Sequence, residues 1–228
     1  MEESELIQTG PDNVFTLKLE GSKRLLSKNL LHGSVYGERL VAVGKDEYRI
    51  WDPYRSKLAA IILKGAYIPI KKDSQVLYLG AANGTTVSHV SDIVSDGTVF
   101  AVEFSPRAMQ DLLSVCISRI NLIPVFADAG HPGSYTNLVP EVDFIYQDVA
   151  QREQALIAIR NAEVFLKKDG FLILMIKSKS IDSARKTKEV INDEIKKLED
   201  YFKIKELIYL EPYHSDHMAV VAQKYLTS

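Results

Sequence analysis

Three residues of types that serve in acid–base chemistry stand where apolar runs begin or end: Asp148, Lys177 and His217. Asp148 follows the apolar run 142–146, Lys177 follows the run 171–176, and His217 opens a third run at residues 217–222. A carboxylate, a lysine and a histidine that meet at one place can orient and activate a weakly acidic hydroxyl. Each has an ordinary explanation when taken singly, since a lysine after a buried strand is usually the strand's exit into solvent. The chemical interpretation therefore depends on whether the fold brings the three together.

A glycine-containing segment, Leu79-Gly80-Ala-Ala-Asn-Gly84-Thr85-Thr86, lies between an apolar run and a helical pattern. Two glycines four positions apart let a ligand approach the backbone closely, and the helix N-terminus that follows favours polar or anionic groups. The segment lacks the full G-x-G-x-x-G pattern of dinucleotide binders, so a tight turn explains it equally well when it is taken alone.

Acidic residues follow three successive predicted strands. Glu103 comes about 20 positions after the glycine segment, where an acid can accept hydrogen bonds from ribose hydroxyls. Asp128, which precedes Ala129, and Asp148 follow the next two strands. Helix caps and turn acids are the alternative explanation for each acid singly, and the repetition at three strand ends favours a binding site.

The elements that must position these residues alternate between strand and helix from Ser56 onward. Strands are predicted over residues 76–79, 99–102, 122–126, 142–146, 171–176, 206–210 and 217–222 from their apolar runs. Helices are predicted over residues 57–64 and 85–94, from Ser105-Pro106 to Ile117, over residues 154–166, and along the apolar series Ile191, Ile195, Leu198 and Phe202.

This alternation predicts an α/β fold with a parallel sheet covered on both faces. The link 211–216 is too short for a crossover helix, so the final strand must run antiparallel. A doubly wound, Rossmann-like, seven-stranded sheet with one antiparallel strand is the class I methyltransferase architecture. Ligands bind beyond the carboxyl ends of strands in such sheets. The start of a reversed strand lies at that same edge, so Asp148, Lys177 and His217 are expected to converge there.

Residues 1–54 differ from the rest of the chain and predict a small β-rich N-terminal domain, with the methyltransferase domain over residues 55–228. Residues 15–19 alternate apolar and polar, and glycines punctuate the segment that follows. No stretch there has strong helical periodicity.

Composition restricts the class of protein. The chain has 228 residues, 46% of them hydrophobic and 25% charged, as in an ordinary globular protein. Its apolar runs are far shorter than the roughly 20 residues that span a bilayer, and its acidic N-terminus does not resemble a signal peptide. The single Cys116 excludes an internal disulfide and a multi-cysteine zinc site. A cytoplasmic protein without a metal is the resulting expectation.

The sequence resembles the fibrillarin family, the 2′-O-methyltransferases of box C/D ribonucleoproteins, in its archaeal form. The matching segments run in the same order over roughly residues 45–222: Tyr48-Arg-Ile-Trp-Asp-Pro53, Ser56-Lys-Leu-Ala-Ala60, Tyr78-Leu-Gly-Ala-Ala-Asn-Gly-Thr-Thr86, Ser88-His-Val90, Glu103-Phe-Ser-Pro-Arg107, Asp148-Val-Ala-Gln151, Ile176-Lys177, Ser180-Ile-Asp182, Glu211-Pro212 and Asp216-His217. Their combination is highly specific. One departure is His214, an additional histidine that we expect to face solvent.

The resemblance implies that S-adenosylmethionine is the cofactor. Thr85 and Thr86 would contact its amino-acid end, Glu103 its ribose, and Phe104 with Asp128 and Ala129 its adenine. The full implied set of cofactor-binding residues is Gly80, Ala81, Gly84, Thr85, Thr86, Glu103, Phe104, Asp128, Ala129, Asp148, Val149, Ala150 and Gln151.

The resemblance also implies a catalytic Lys–Asp–Lys–His tetrad of Lys57, Asp148, Lys177 and His217. Methyl transfer to a ribose 2′-OH needs a base or a stabilised alkoxide because the hydroxyl is weakly acidic. Lys177 is the candidate for the group that polarises or deprotonates the hydroxyl, and Asp148 and Lys57 would tune it. The sequence leaves open which group takes the proton.

The partners that the resemblance implies are a box C/D guide RNA, target rRNA or tRNA, a Nop-domain scaffold protein and a kink-turn-binding ribosomal-type protein. A chain of net charge −2 is expected to hold RNA with help, because proteins that bind nucleic acid alone usually carry a basic excess. Nucleolar members of the family carry a Gly/Arg-rich N-terminal tail that this sequence lacks, which favours an archaeal, cytoplasmic protein.

Other functions remain open from the residues. A class I methyltransferase that acts on a protein or a small molecule has the same fold, and so has a non-catalytic ribonucleoprotein assembly subunit. A nicotinamide-dependent oxidoreductase is the remotest of these alternatives. The charged residues at the predicted carboxyl edge argue against the non-catalytic subunit, since a site without activity has no physical reason to keep them.

Overall fold

The computed structural model of the protein describes residues 5–225. Its N-terminal part forms an antiparallel sheet of five strands in the order β1-β2-β3-β5-β4. The strands are β1 (Ile7–Gln8), β2 (Val14–Leu19), β3 (Ser22–Lys28), β4 (Leu40–Val43) and β5 (Asp46–Ile50).

The rest of the described chain alternates strands and helices, as the sequence predicts. In chain order the elements are α1 (Lys57–Leu63), β6 (Gln75–Leu79), α2 (Thr85–Ile93), β7 (Thr98–Glu103), α3 (Pro106–Cys116), β8 (Leu122–Phe126), a short 3₁₀ turn (Pro132–Ser134), β9 (Val142–Gln147), α4 (Gln154–Phe165), β10 (Leu166–Lys177), α5 (Ser178–Ile181), α6 (Thr187–Glu199), β11 (Phe202–Tyr209) and β12 (His217–Lys224). The helices that carry site residues begin at polar caps: Ser56 accepts a hydrogen bond from the Ala59 amide, and Ser105 accepts one from the Ala108 amide.

The second sheet has seven strands in the order β11-β12-β10-β9-β6-β7-β8. Strand β12 runs antiparallel to both of its neighbours, β10 and β11, and the other pairings in this sheet are parallel. The predicted fold class is thereby confirmed, including the single reversed strand. Strand order changes direction at β6, which places a ligand crevice beside the glycine segment.

A hydrophobic cluster lies on each face of the seven-stranded sheet. One includes residues of α1 and α2, and it continues into the N-terminal sheet through Val14, Leu25 and Trp51. The other lies under α4 and α6. The division of the chain into domains at residues 54 and 55 stays a prediction.

A buried ionic network joins the N-terminal sheet to α2 and to the turn before β8. The Asp92 carboxylate, at the C-terminal end of α2, accepts hydrogen bonds from Arg49 of β5 at 2.8 Å and from Arg119 at 2.7 Å. It also accepts from the Ser27 hydroxyl at 2.7 Å and the Leu30 amide at 3.1 Å. All three charged residues are buried. Two guanidiniums around one carboxylate satisfy a charge that would otherwise be very costly to bury.

Two predicted element boundaries are wrong. Leu166 begins β10 instead of ending α4. It pairs with Val142 of β9, and the register between these two strands shifts between Leu166 and Phe171. Phe202 begins β11 instead of belonging to the last helix, which ends at Glu199. Both residues are buried in the same cluster as their preceding helices. A buried apolar side chain at helical spacing fits either element, so the periodicity could not separate them.

None of the described helices combines the length and apolar character that crossing a membrane requires.

Candidate active site

The carboxyl edge of the seven-stranded sheet collects the predicted catalytic residues. Asp148 directly follows β9, and its amide donates to the Leu79 carbonyl at the end of β6 at 2.9 Å. Lys177 ends β10 and stands opposite His217, the first residue of β12, in the antiparallel register. The structure thus places these three residues at one edge, as their positions beside apolar runs suggest.

Lys57 joins this edge from the first turn of α1. Its Nζ donates to both carboxylate oxygens of Asp148, at 2.9 Å and 2.7 Å. The two side chains keep 20% and 26% of their surface exposed, so the pair is partly shielded and still open to a ligand. A lysine at a helix N-terminus is repelled by the helix dipole. The bidentate contact with Asp148 offsets that repulsion and fixes where the ammonium lies.

His217 is held as one tautomer. Its Nδ1 lies 2.6 Å from the Ser215 carbonyl oxygen, and a carbonyl can only accept, so Nδ1 carries the proton. Burial, the Lys57 ammonium and His214 lower the pKa of His217, and they outweigh the opposing influence of Ser215 and Asp148. The neutral ring therefore has an unprotonated Nε2 at this edge, which can accept a hydrogen bond or a proton.

The backbone of Lys177 is fixed by a buried glutamine. The Lys177 amide donates to Gln154 Oε1 at 2.9 Å, and Gln154 Nε2 lies 3.5 Å from the Lys177 carbonyl oxygen. Gln147 in turn donates to the Gln154 carbonyl at 2.7 Å. Both glutamines are fully buried. Sequence reasoning missed these two residues, although an amide next to an apolar run is a signal of a buried hydrogen-bonding role.

The glycine segment forms the turn between β6 and α2. Gly80 and Gly84 have φ angles of +83° and +93°, which side-chain-bearing residues rarely adopt. A Cβ atom on Gly80 would collide with the backbone oxygen of Asp148. Glycine is needed at position 80 because β6 and β9 end against each other.

The two threonines that end the glycine segment each donate a hydrogen bond. Thr86 Oγ1 donates to Ser56 Oγ at 3.1 Å, and Thr85 Oγ1 donates to Asn83 Oδ1 at 3.1 Å.

Glu103 ends β7 with a carboxylate that is almost fully buried, the residue being 7% exposed. Its Oε1 accepts from the amides of Phe104 and Ser105 at 3.0 Å and 2.8 Å, and its Oε2 accepts from the Ala82 amide at 2.8 Å. A carboxylate oxygen can accept two hydrogen bonds. Oε2 therefore keeps acceptor capacity for a ligand.

A cavity of about 250 Å³ opens between the glycine segment and the ends of β7 and β9. Its lining includes eight residues of the predicted cofactor set: Gly80, Glu103, Phe104, Ala129, Asp148, Val149, Ala150 and Gln151. It also includes three residues outside the predicted cofactor set: Ala82, Val102 and Ala127. These three are small or apolar residues without a functional group, so no chemical signal marks them in the sequence.

Five residues of the predicted cofactor set lie outside this lining: Ala81, Gly84, Thr85, Thr86 and Asp128. Asp128 is linked to it, since its Oδ1 accepts from Gln151 Nε2 at 3.1 Å and from the Gly130 amide at 2.8 Å. These two hydrogen bonds, the Gly130 amide first, hold the pKa of Asp128 below its usual value. The ionised carboxylate fixes the amide side chain of Gln151 at the wall of the cavity.

The residues that line this cavity fit an adenosyl group. Val102, Ala127 and Ala129 provide apolar walls for a base, and Phe104 is 60% exposed, which leaves its ring accessible. The remaining acceptor capacity of Glu103 suits a ribose hydroxyl. Within residues 5–225, no three His, Cys, Asp or Glu side chains gather in a group that could hold a metal ion.

His214 differs from the expectation that it faces solvent. Its ring is about half-buried, and its Nε2 lies 2.8 Å from the Pro53 carbonyl oxygen. It lies edge-on to the His217 ring with a centroid distance of 5.9 Å. The expectation is wrong because residues 211–216 fold back against the loop before α1, which the sequence does not show.

Comparison with known proteins identifies the family of the chain. Residues 7–225 match the profile of the Fibrillarin family. A relative from Methanosarcina barkeri, named as a fibrillarin-like rRNA/tRNA 2′-O-methyltransferase, is 55% identical over 217 residues, which cover 93% of this chain and 96% of the relative.

Two solved structures are similar along nearly the whole chain. One is Aeropyrum pernix fibrillarin with natively bound S-adenosyl-L-methionine, at 44% identity and a TM-score of 0.87, covering 96% of this chain and 99% of the other. The second is a fibrillarin/Nop5p complex, at 44% identity and a TM-score of 0.88, covering 96% of this chain and 100% of the other.

Proposed function

This chain belongs to the fibrillarin family, and on that premise we propose that it acts as the catalytic subunit of a box C/D ribonucleoprotein. In this role it transfers a methyl group from S-adenosylmethionine to a ribose 2′-OH of rRNA or tRNA, at positions chosen by a guide RNA. The observation that carries the proposal is the meeting of the Lys57–Asp148 pair, Lys177 and His217 beside the cavity that fits the cofactor.

Residues of the cavity bind and orient the cofactor. Glu103 would accept from the ribose hydroxyls through Oε2, and Phe104 with the apolar walls would enclose the adenine. When it is bound, S-adenosylmethionine supplies a methyl group on a positively charged sulfur. The bidentate contact with Lys57 holds the Asp148 carboxylate at the wall of this cavity, where it would help to orient the bound cofactor.

Residues of the tetrad prepare the attacking hydroxyl. Lys177 polarises the 2′-OH, and the two groups that this edge offers for its proton are Lys177 and the unprotonated Nε2 of His217. Gln154 holds the backbone of Lys177, so the lysine works from a fixed strand end. Alignment of the two reactants contributes much of the rate in such two-substrate reactions.

The proposed partners follow from the charge of the chain and from its relatives. A net charge of −2 is poorly suited to holding RNA alone, because phosphate contacts require basic side chains. A relative forms a complex with Nop5p, which supports a Nop-domain scaffold as partner here. A kink-turn-binding protein and the guide RNA complete the proposed assembly.

The test is methyl transfer to target RNA by the purified chain alone, compared with transfer in the presence of guide RNA and both partner proteins. We expect site-selective methylation only in the complete assembly. Efficient, site-selective methylation by the chain alone would contradict guide direction and would indicate a stand-alone RNA methyltransferase.

A catalytic variant shows whether the activity belongs to this site. Lys177→Ala should abolish transfer in the assembly and leave S-adenosylmethionine binding nearly unchanged, whereas Lys168→Ala, near the other end of β10, should behave as the wild type. If Lys177→Ala kept more than about a tenth of kcat, less than about 1.4 kcal/mol of transition-state stabilisation would depend on it. The lysine would then not be a central catalytic residue.

A further inference from the structure

His214 lies next to the tetrad and has no role in the proposed reaction as described so far. It belongs to the link (residues 211–216), which joins β11 to β12 and leads directly into His217. Its ring is half-buried and contacts the ring of His217 edge-on, at a centroid distance of 5.9 Å and an interplanar angle of 63°. A histidine in this place can influence the tetrad without touching a substrate.

The link is fastened to the entry loop (residues 52–56), which leads into α1 and Lys57. His214 Nε2 lies 2.8 Å from the Pro53 carbonyl oxygen, so Nε2 carries the proton and donates it. One residue away, the Tyr213 ring packs edge-on against the Tyr54 ring at 5.1 Å. These two contacts join segments that are about 160 residues apart in the sequence.

A third contact fastens the other end of the link. Lys64 Nζ, just after α1, donates to the Glu211 carbonyl at 2.8 Å. Because this lysine is exposed, its bond to the backbone contributes little to the stability of the protein. The contact at His214 is more shielded from water, and it lies three residues from His217.

Two tetrad residues are tied together by the His214 contact. Lys57 comes four residues after Pro53, and its ammonium is fixed on Asp148 by the bonds at 2.9 Å and 2.7 Å. His217 comes three residues after His214 and is fixed by its own bond to the Ser215 carbonyl. The Pro53–His214 hydrogen bond is therefore a directional connection, beside the Tyr54–Tyr213 contact, between the loop that positions Lys57 and the turn that positions His217.

The chemistry of His214 suits a positioning role and does not suit the role of a proton donor. Burial is the main cause that lowers its pKa, and Lys57 acts in the same direction. A neutral ring whose single N–H is already donated to a carbonyl has no proton to give to a substrate. What it supplies is a hydrogen bond in a fixed direction.

We propose that His214 is a positioning residue of the methyl-transfer site. By fastening the link to the entry loop, it sets the place of His217 relative to the Lys57–Asp148 pair. This inference rests on the proposed function for its kinetic consequence, whereas the contact itself can be tested without activity.

The kinetic experiment uses the full chain in the assembly with guide RNA and both partner proteins. His214→Met keeps the volume of the side chain but cannot donate, and His214→Gln presents an amide N–H in its place. We expect His214→Met to lower kcat by about 10-fold to 100-fold, because small displacements of a catalytic group have effects of that size. The KM for S-adenosylmethionine should not change, and His214→Gln should recover most of kcat. His32→Ala, on an exposed loop of the N-terminal part, is the control.

A second measurement does not depend on activity. In the free chain with S-adenosylmethionine, the imidazole nitrogen signals of His217 are followed by NMR as a function of pH. The charged groups near this ring are Lys57, Asp148 and His214, with Lys177 opposite it in the register. His214→Met should shift the His217 signals and their titration midpoint, and His214→Gln should leave both near the wild-type values. If His214→Met does not fold, His214→Ala replaces it.

The two measurements separate the possible failures. Wild-type kcat in His214→Met, or unchanged His217 signals, would overturn the positioning role. Equal losses of kcat, cofactor affinity and thermal stability in the Met and Gln variants would also overturn it, since that is the result of a purely structural role. Absence of methylation by the wild-type assembly would contradict the proposed function and would leave the NMR result as an independent test of the contact.

Discussion

Glu103 shows what one buried carboxylate does for a binding site. It accepts hydrogen bonds from three backbone amides, which shape the turn after β7, and it keeps acceptor capacity on Oε2. Replacement by glutamine preserves the shape of the side chain but removes its charge and turns one of the two accepting oxygens into an NH2 donor. The expected effects therefore separate into a change in ligand affinity and a change in stability.

We predict that Glu103→Gln weakens binding of S-adenosylmethionine by about 1–3 kcal/mol, since it removes charged hydrogen bonds to the ribose. Glu103→Ala should lose at least as much affinity. It should also melt at a lower temperature than Glu103→Gln, because all three amides lose their acceptor, whereas glutamine keeps one accepting oxygen. Titration calorimetry measures the affinity, with the exposed Glu163→Gln as control. Unchanged affinity would show that Glu103 does not hold the ribose.

At the scale of elements, the ionic network at Asp92 attaches β5 and the end of α2 to each other. We predict that Asp92→Asn destabilises the protein by about 3–5 kcal/mol, because it removes the carboxylate that pairs with buried Arg119 and leaves buried Arg49 with Glu38 alone. Asp96→Asn is the matched control, since the Lys72–Asp96 pair is more than half exposed and should contribute no more than about 1 kcal/mol. Urea unfolding measures both variants, and equal losses would contradict the prediction.

Glu38, in the loop before β4, belongs to the same ionic network, since its carboxylate accepts a hydrogen bond from Arg49. Its charge makes the stability of the protein sensitive to acid. Burial opposes its ionisation, but the amides of Tyr36 and Val35 together with Arg49 hold the pKa of Glu38 at about 2. A carboxyl whose pKa is lower in the folded state stabilises the protein above its ordinary pKa of about 4.5. We predict that this contribution is lost as the pH falls from about 4.5 to about 2.

The measurement is the melting temperature of the wild type and of Glu38→Gln from neutral pH down to a pH of about 2. The wild type should be more stable near neutral pH, and the difference should shrink as the pH falls. A difference that does not depend on pH would contradict the role of the Glu38 charge.

Strands and their direction could be predicted from the sequence where a single local pattern, such as an apolar run, was enough. The buried strands, the reversed strand β12 and the convergence of Asp148, Lys177 and His217 follow from apolar runs and one short link. Contacts between segments far apart in the chain were not predictable. The pairing of Gln154 with Lys177, of His214 with Pro53, and of Arg49 with Asp92 depends on packing that no local pattern encodes.

On the scale of the whole molecule, the two sheets share one hydrophobic cluster. Trp51, the single tryptophan, lies where they meet; it is fully buried and stacks on His89 at a centroid distance of 4.6 Å. Val14 and Leu25 of the N-terminal sheet belong to the same cluster as the residues under α1 and α2. The N-terminal sheet has only a small cluster of its own, in which Leu17, Leu26 and Tyr48 are buried, so we expect its stability to depend on the cluster that it shares.

We predict that the two parts unfold together. Thermal unfolding followed by Trp51 fluorescence and by far-ultraviolet circular dichroism should give the same midpoint, because two-state unfolding makes all probes coincide. The N-terminal sheet would be an independent domain if the fluorescence midpoint came clearly before the circular dichroism midpoint.

The place of β12 in the seven-stranded sheet has a consequence for biosynthesis. The other six strands of that sheet leave the ribosome before β12, yet β12 lies between β10 and β11 and carries His217 at its start. A nascent chain therefore has a gap between these two strands and lacks the histidine of its tetrad until the last strand enters. The glycine segment and the Lys57–Asp148 pair can form earlier, but a truncated or stalled product cannot assemble the complete tetrad. The order of translation itself delays activity until the sheet is closed.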